Sequence, residues 1–378
     1  MTIPLSLYIH IPWCVKKCPY CDFNSHSAKR ELPEAEYIEK LLVDLEQELP
    51  FIWGRRIKTI FFGGGTPSLF SPNSIHSLLT QLHARLAFGP DTEITLEANP
   101  GTVDQKKFKA LREAGINRLS LGIQSFQDEK LKQLGRIHGA SEAHSAIQAV
   151  LAAGFENFNI DLMFGLPQQS LKDALFDLAT AIQYQPTHLS WYQLTIEPNT
   201  YFAQFPPKLP KDESIWKIQQ QGQALLNEHD YCQYEISAYS KQGFHCQHNR
   251  NYWEFGDYIG IGAGAHGKLT DPATGKIYRK WKVKHPKQYL TAEQLVAEEK
   301  QVLKEDLAFE FFLNAFRLYE AIPLSLMTER TGLTRDQLEP KLQSAQEAGL
   351  LQSANNNLTT TPLGKRFLNN LLEIFLNE

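Results

Sequence analysis

Residues 5–21 read LSLYIHIPWCVKKCPYC, a seven-residue apolar run followed directly by three cysteines within eight positions. The run LSLYIHI (5–11) has the length and β-branched content of a short buried strand, so the cysteines fall just past its carboxyl end. The same rhythm recurs along the chain. IKTIFF (57–62), EITLEA (93–98), NRLSLGIQS (117–125), NFNIDLMFG (157–165) and HLSWYQL (188–194) each read as a strand. Helical stretches separate them at 34–49, 71–86, 141–154 and 171–183, with Ser71 and Ser141 expected as N-caps and Gly154 as a stop. Six strands alternating with helices imply parallel pairing through right-handed crossovers. The fold class is therefore α/β, either a curved, partial (β/α)6 barrel or a flat doubly wound sheet.

In both architectures ligands gather beyond the carboxyl ends of the strands. The cysteines follow strand one, GGGTP (63–67) follows strand two, and Glu97 with Asn99 closes strand three. Gln124 ends strand four and Asp161 lies within strand five. Five strands that each deliver a polar or glycine-rich element to one rim define a candidate site.

Composition bounds the function. The chain has 378 residues, 42% hydrophobic and 21% charged, with a formal charge of −4. That is an ordinary globular balance for one large unit and a small one, and it offers no electrostatic footprint for nucleic acid. No leader with a basic start and small-residue cleavage site is legible, nor a run of about 18 apolar residues, so a cytoplasmic chain without a transmembrane segment is expected. Peripheral membrane contact, and the choice between monomer and homodimer, stay open.

Five cysteines, three of them clustered, fit reduced thiols on a metal better than a disulfide framework. One candidate is a structural zinc completed by His10 or His26. The other is a 4Fe-4S cluster held by Cys14, Cys18 and Cys21, whose fourth iron stays open to a cofactor.

With Tyr20 in the aromatic place of CxxxCx(aromatic)C after strand one, the chain resembles the radical S-adenosylmethionine superfamily. The resemblance implies a partial barrel, a 4Fe-4S cluster, and S-adenosylmethionine chelated at the open iron and cleaved to a 5′-deoxyadenosyl radical. The motifs YIHIPWC, FFGGGTPS, LEANP, SLGIQSF, LGRIHG and NIDLMFGLPQQ stand in the order of the oxygen-independent coproporphyrinogen III oxidase group, over roughly residues 5–200. Carried over by position, Tyr8, Gly64, Gly65, Thr66 and Glu97 would contact S-adenosylmethionine, and Gln124, Arg136 and Asp161 would serve the same cofactor or a second one.

Two departures redirect the expectation. Where the oxidases have a further cysteine two places after the third, this chain has Phe23, and its start lies too close to Cys14 for the oxidases' N-terminal extension. Both resemble the sister branch, the HemW heme chaperones. HNRNYW (248–253) is similar to that branch's HNxxYW motif, which implies heme binding with His248 as an axial ligand and Tyr252 and Trp253 as flat apolar faces. Cys246 and His245 lie nearby as further candidates, while GIGAGAHG (260–267) lacks the spacing of a dinucleotide fingerprint. Without the resemblance, His248 reads as a turn cap beside core aromatics.

The remainder changes character. LAFEFFLNAFRLYEAI (307–322) reads as one helix, and the pattern from Pro323 resembles a winged helix-turn-helix. Residues 323–378 carry five Lys or Arg against six Asp or Glu, so no basic DNA-reading face is indicated. The expected organisation is a barrel over 1–265 with cluster, cofactor and heme motif, a connecting segment over 266–306, and a helical, winged-helix-like unit over 307–378. The expected function is a heme chaperone that binds heme, a 4Fe-4S cluster and S-adenosylmethionine, and transfers heme to an unidentified acceptor protein. The alternative is oxidative decarboxylation of a porphyrinogen, with catalytic residues unknown.

Overall fold

The computed structural model describes residues 3–28 and 31–376. The six expected strands are present as β1 (Leu5–Ile11), β2 (Ile57–Gly64), β3 (Glu93–Ala98), β4 (Arg118–Gln124), β5 (Phe158–Phe164) and β6 (His188–Gln193). They pair in sequence order and in parallel. The sheet stays open and gains strands at both edges. Beyond β6 lie β7 (Cys232–Gln233) and β8 (Ala238–Ser240), and beyond β1 lies β9 (Asp257–Ile261), parallel to it. Three antiparallel strands continue outward from β9: β10 (His266–Thr270), β11 (Ile277–Lys282) and β12 (Val296–Gln301). Residues 266–306, expected as a connecting segment, contribute these three strands to the sheet.

Alternation along the strands divides the two faces. On β1, Leu5, Leu7, Ile9 and Ile11 are buried in the main core with Leu41 and Leu45 of α1 (Glu34–Ile52) and Leu78 of α2 (Pro72–His83). Each such side chain contributes about 1.5–3 kcal/mol on burial. The opposite face carries Ser6, Tyr8 and His10, in register with Thr59, Phe61 and Gly63 of β2. The register continues from Thr59 to Glu93, from Glu97 to Ser120, from Gly122 to Asp161 and from Asp161 to Ser190. One face of the parallel sheet is apolar and helix-covered, and the other is a polar interior.

Local details differ from expectation where side chains compete for backbone groups. Ser71 caps α2, accepting the Ser74 N–H at 3.2 Å. Ser141 does not cap α3 (Ala140–Ala152), whose N-cap is Gly139. The Glu142 carboxylate takes the Gly139 N–H and the Asp128 carboxylate takes the Ala140 N–H, which starts the helix earlier. The helix expected over 307–322 ends at Ala315 as α5, because Leu318 bridges to Glu235 and the Tyr319 N–H donates to the Tyr234 carbonyl. The helix at 171–183 has the expected bounds and is α4 (Leu171–Gln183).

The C-terminal region has its own core, built from Phe311, Phe312, Phe316, Leu342, Leu358 and Phe375 among others. Two helices, α6 (Leu324–Thr331) and α7 (Arg335–Glu347), lead into β14 (Leu351–Ala354) and β15 (Asn357–Thr360), with β13 (Ile322–Pro323) completing a three-stranded sheet. No helix among the described residues is long and apolar enough to cross a membrane.

Candidate functional site

At the carboxyl ends of β1–β6, Cys14, Cys18, Cys21, Tyr20, Gly64, Gly65, Thr66, Glu97, Gln124, Arg136 and Asp161 all line one cavity of about 140 Å³. These are the sequence-expected cysteines and eight of the ten expected cofactor residues. Gly64 has φ +116°, a backbone state that disfavours any side chain, and a Cβ on Gly65 would lie 2.5 Å from the Trp13 carbonyl oxygen. The glycines therefore serve close approach of the two loops. The Gly65 and Thr66 N–H groups donate to the carbonyls of Ile11 and Trp13, which ties GGGTP to the base of the cysteine loop.

Several groups in this cavity are left with spare bonding capacity. Arg136 donates to Asn99 Oδ1, to the Gly122 carbonyl at 2.8 Å and to Cys18 Sγ at 3.6 Å, while its buried Nε has no partner. Among the described residues Glu97 accepts only the Gly64 N–H, at 3.2 Å. Burial, and then the negative charge of Asp161, push its carboxyl up to about 8, so it is largely neutral at pH 7. Burial raises Asp161 as well, although Asn159 and Ser120 donate to it at 2.7 and 3.0 Å. A cation placed beside these carboxyls would draw Glu97 into the ionised form.

The thiols can be tested against a metal group. Burial pushes the Cys14 and Cys21 thiols up, a bias that a bound metal reverses because a coordinating thiol is deprotonated outright. A single zinc, with Zn–S bonds of about 2.3 Å, would draw its thiolates to within roughly 4 Å of one another. Among the described residues no three His, Cys, Asp or Glu side chains converge in that way. His10 is also engaged, one ring nitrogen with Tyr8 Oη at 3.0 Å and the other with the Asn24 carbonyl at 2.9 Å. Three thiols lining one cavity fit a cluster held at three of its irons. Cys232 and Cys246 line neither this cavity nor the larger one beside it.

Sequence reasoning missed Tyr192, which lines the cavity and donates to Gln124 Oε1 at 2.7 Å. Its place next to the last residue of β6 was the available signal. Gln124 itself is held at φ +70°, a strained state for a non-glycine residue.

The larger cavity, about 840 Å³, shares Phe23, Gly64 and Glu97 with the first. Tyr8, Tyr252, Trp253, Tyr258 and Trp281 supply aromatic wall, and His266, Arg279 and Lys284 supply polar edges. Phe23, 64% exposed, stands where the two cavities meet.

His248 lines neither cavity. It lies on α8, which in chain order falls between β8 and β9 and spans Gln247–Trp253, and it is 1% exposed. One ring nitrogen is bonded to Thr59 Oγ1 at 2.7 Å and the other to Tyr252 Oη at 2.8 Å. The Glu93 carboxylate takes the N–H groups of Gln247 and His248 at 3.1 Å each, capping the helix. Thr59, Glu93 and Arg118 sit near the amino ends of their strands, so α8 closes the bottom of the polar interior, opposite the cysteines. Burial and the nearby Arg118 lower the imidazole to about 3, so it is neutral. Axial ligation by His248 would require giving up one of its two buried hydrogen bonds.

Comparison with known proteins accords with this geometry. The model of the Radical SAM superfamily matches residues 8–179, and that of the HemN C-terminal domain matches 302–367. The solved structure of coproporphyrinogen III oxidase (HemN) from Escherichia coli superposes with a TM-score of 0.84 at 23% identity, covering 99% of this chain and 90% of that one. The fold is that of a radical S-adenosylmethionine protein. The heme chaperones HemW of Haemophilus influenzae and Escherichia coli are 54% and 53% identical, each covering 99% of this chain and, respectively, 98% and 99% of their own length. The HemW of Bacillus subtilis is 34% identical over 99% of both chains. The chain belongs to the HemW heme chaperone family.

Proposed function

We propose that the chain is a heme chaperone: it binds heme, carries a 4Fe-4S cluster with S-adenosylmethionine beside it, and hands heme to an acceptor protein. The observation that carries this reading is the pair of joined cavities, a small one ringed by three thiols and a large one walled by aromatic rings. About 840 Å³ lies within the roughly 300–1,000 Å³ typical of sites that bury a sizeable organic ligand.

In this reading Cys14, Cys18 and Cys21 hold three irons of the cluster. Tyr8, Gly64, Gly65, Thr66 and Glu97 surround the methionine and ribose parts of S-adenosylmethionine, with Tyr20 packed beside the cluster loop. Glu97 turns from neutral to ionised as it meets the cofactor's positive charge. Gln124, Arg136 and Asp161 complete the same pocket. The two bound groups supply one-electron chemistry at a sulfonium. The strands after residue 265 then serve the heme chamber, and the unit from 307 covers it, with Asn314 of α5 reaching its wall. The setting is cytoplasmic.

The test is transfer. Heme-loaded protein is mixed anaerobically with the apo form of a b-type cytochrome. Heme should reach the acceptor faster than it dissociates from the chaperone alone; transfer no faster than dissociation would remove the carrier role. A second reading, oxidative decarboxylation of coproporphyrinogen III, rests on the intact cavity around the three cysteines. Incubation with reductant, S-adenosylmethionine and that substrate should give no vinyl products, and catalytic formation of them would make the chain an oxidase.

A further inference from the structure

An iron-ligating imidazole needs a nitrogen with a free lone pair facing the ligand. His248, within the motif that the sequence associates with heme, has both nitrogens bonded inside the protein. His10, on the wall of the large cavity, has both engaged as well. His266 lines the same cavity and differs from both. It is exposed, and neither of its ring nitrogens has a hydrogen-bond partner among the described residues; its one ring contact is with Trp281, edge-on at 5.8 Å between centroids.

The strand register explains how this imidazole comes to face the chamber. His266 opens β10 directly opposite Trp281 of β11, and Lys268 lies opposite Arg279, so the four side chains share one face of the antiparallel ribbon. Tyr258 of β9 pairs with Lys268 on that face, and Tyr252 packs edge-on against Tyr258 at 4.5 Å. The result is an unengaged ring nitrogen beside flat aromatic walls. Arg279 and Lys284 line the same cavity as His266. Arg279 is already paired with Glu310, whereas Lys284 makes no ion pair among the described residues. A ligand with a metal at its centre, a flat aromatic body and carboxylates at one edge matches all three features.

We propose that His266 supplies the axial nitrogen to heme iron in this chamber, with the heme carboxylates directed toward Arg279 and Lys284. The proposal rests on the heme-chaperone reading and adds the ligand and orientation to it. His248 then acts as the structural closure beneath the chamber, holding Tyr252 in place through its 2.8 Å contact.

Ferric heme is titrated into the full, cluster-containing chain, and heme difference spectra are recorded against the same protein without heme. His266→Ala should lose the nitrogen-ligated spectrum and bind heme about tenfold or more weakly, and free imidazole should restore the spectrum. His248→Ala should keep the wild-type heme spectrum. A wild-type spectrum and affinity in His266→Ala would overturn the assignment, as would loss of ligation confined to His248→Ala, and both results leave the chaperone reading standing. If the wild-type chain takes up no heme, the chaperone reading itself fails and the assignment with it.

Discussion

The two ends of the polar interior present opposite states of hydrogen bonding. At the carboxyl ends of the strands, Arg136 Nε has no partner, Glu97 holds one weak contact and is pushed up to about 8, and three thiols face a shared cavity. At the amino ends, α8 is closed: Glu93 caps it, Thr59 and Tyr252 take both nitrogens of His248, and Thr59 donates onward to Ser6 at 2.7 Å. Both ends carry a motif that stands out in the sequence. Groups left with spare bonding capacity await a ligand, while groups satisfied internally hold the frame, as expected where barrel chemistry sits at the top and stability at the bottom.

This contrast is exposed to experiment. The largest effect belongs to the cysteines: Cys14→Ala, Cys18→Ala or Cys21→Ala should abolish cluster iron and sulfide, whereas Cys232→Ala and Cys246→Ala retain them. Iron and sulfide analysis after anaerobic reconstitution reads the result, and a cluster that survives Cys18→Ala would unseat the rim as a ligand set.

Next comes the closed end. His248→Ala removes two buried hydrogen bonds, leaving Tyr252 Oη without this partner and Thr59 with its bond to Ser6, a loss of about 2–4 kcal/mol. Urea unfolding should show it with iron content unchanged. An unaltered midpoint would mean that α8 is no strut.

The third effect is a pH dependence. In the folded, cofactor-free protein Glu97 keeps its proton up to about 8, whereas in the unfolded chain it ionises near its ordinary 4.5. The folded state therefore holds more protons between those values, and stability falls as pH rises through that window. The full shift is discounted for local relaxation, leaving a loss of about 2 kcal/mol from pH 5 to 8. Glu97→Gln should flatten this slope in thermal melts, and an equal slope in both proteins would reassign the charge.

Smaller still, Arg136→Lys removes the forked contact to Asn99 and Gly122 and should weaken S-adenosylmethionine binding by about tenfold, read by calorimetry on the reconstituted protein. At the boundary of the two cavities, Phe23→Cys should leave cluster iron unchanged. A rise in iron per chain would show that position joining the ligand set.

Much of this molecule was legible before any coordinates. The six strands, α4 and the Ser71 cap depend on side-chain period and on neighbours within one turn, and so does the arrival of five polar or glycine-rich elements at one rim. The CxxxCxxC spacing carries its chemistry in three thiols within eight residues. Other features were hidden because they depend on residues far apart in the chain. The partner that engages the His248 ring from β2, Thr59, lies 189 positions away, and the contact of Tyr192 with Gln124 spans 68. The exposed imidazole of His266 is set by the pairing of β10 with β11 and by what the surrounding chain leaves uncovered. Local order follows from local sequence, since backbone and side-chain preferences act over a few residues. Whether a given polar group ends satisfied or available is decided by packing alone, because only the closed fold determines which donors and acceptors meet.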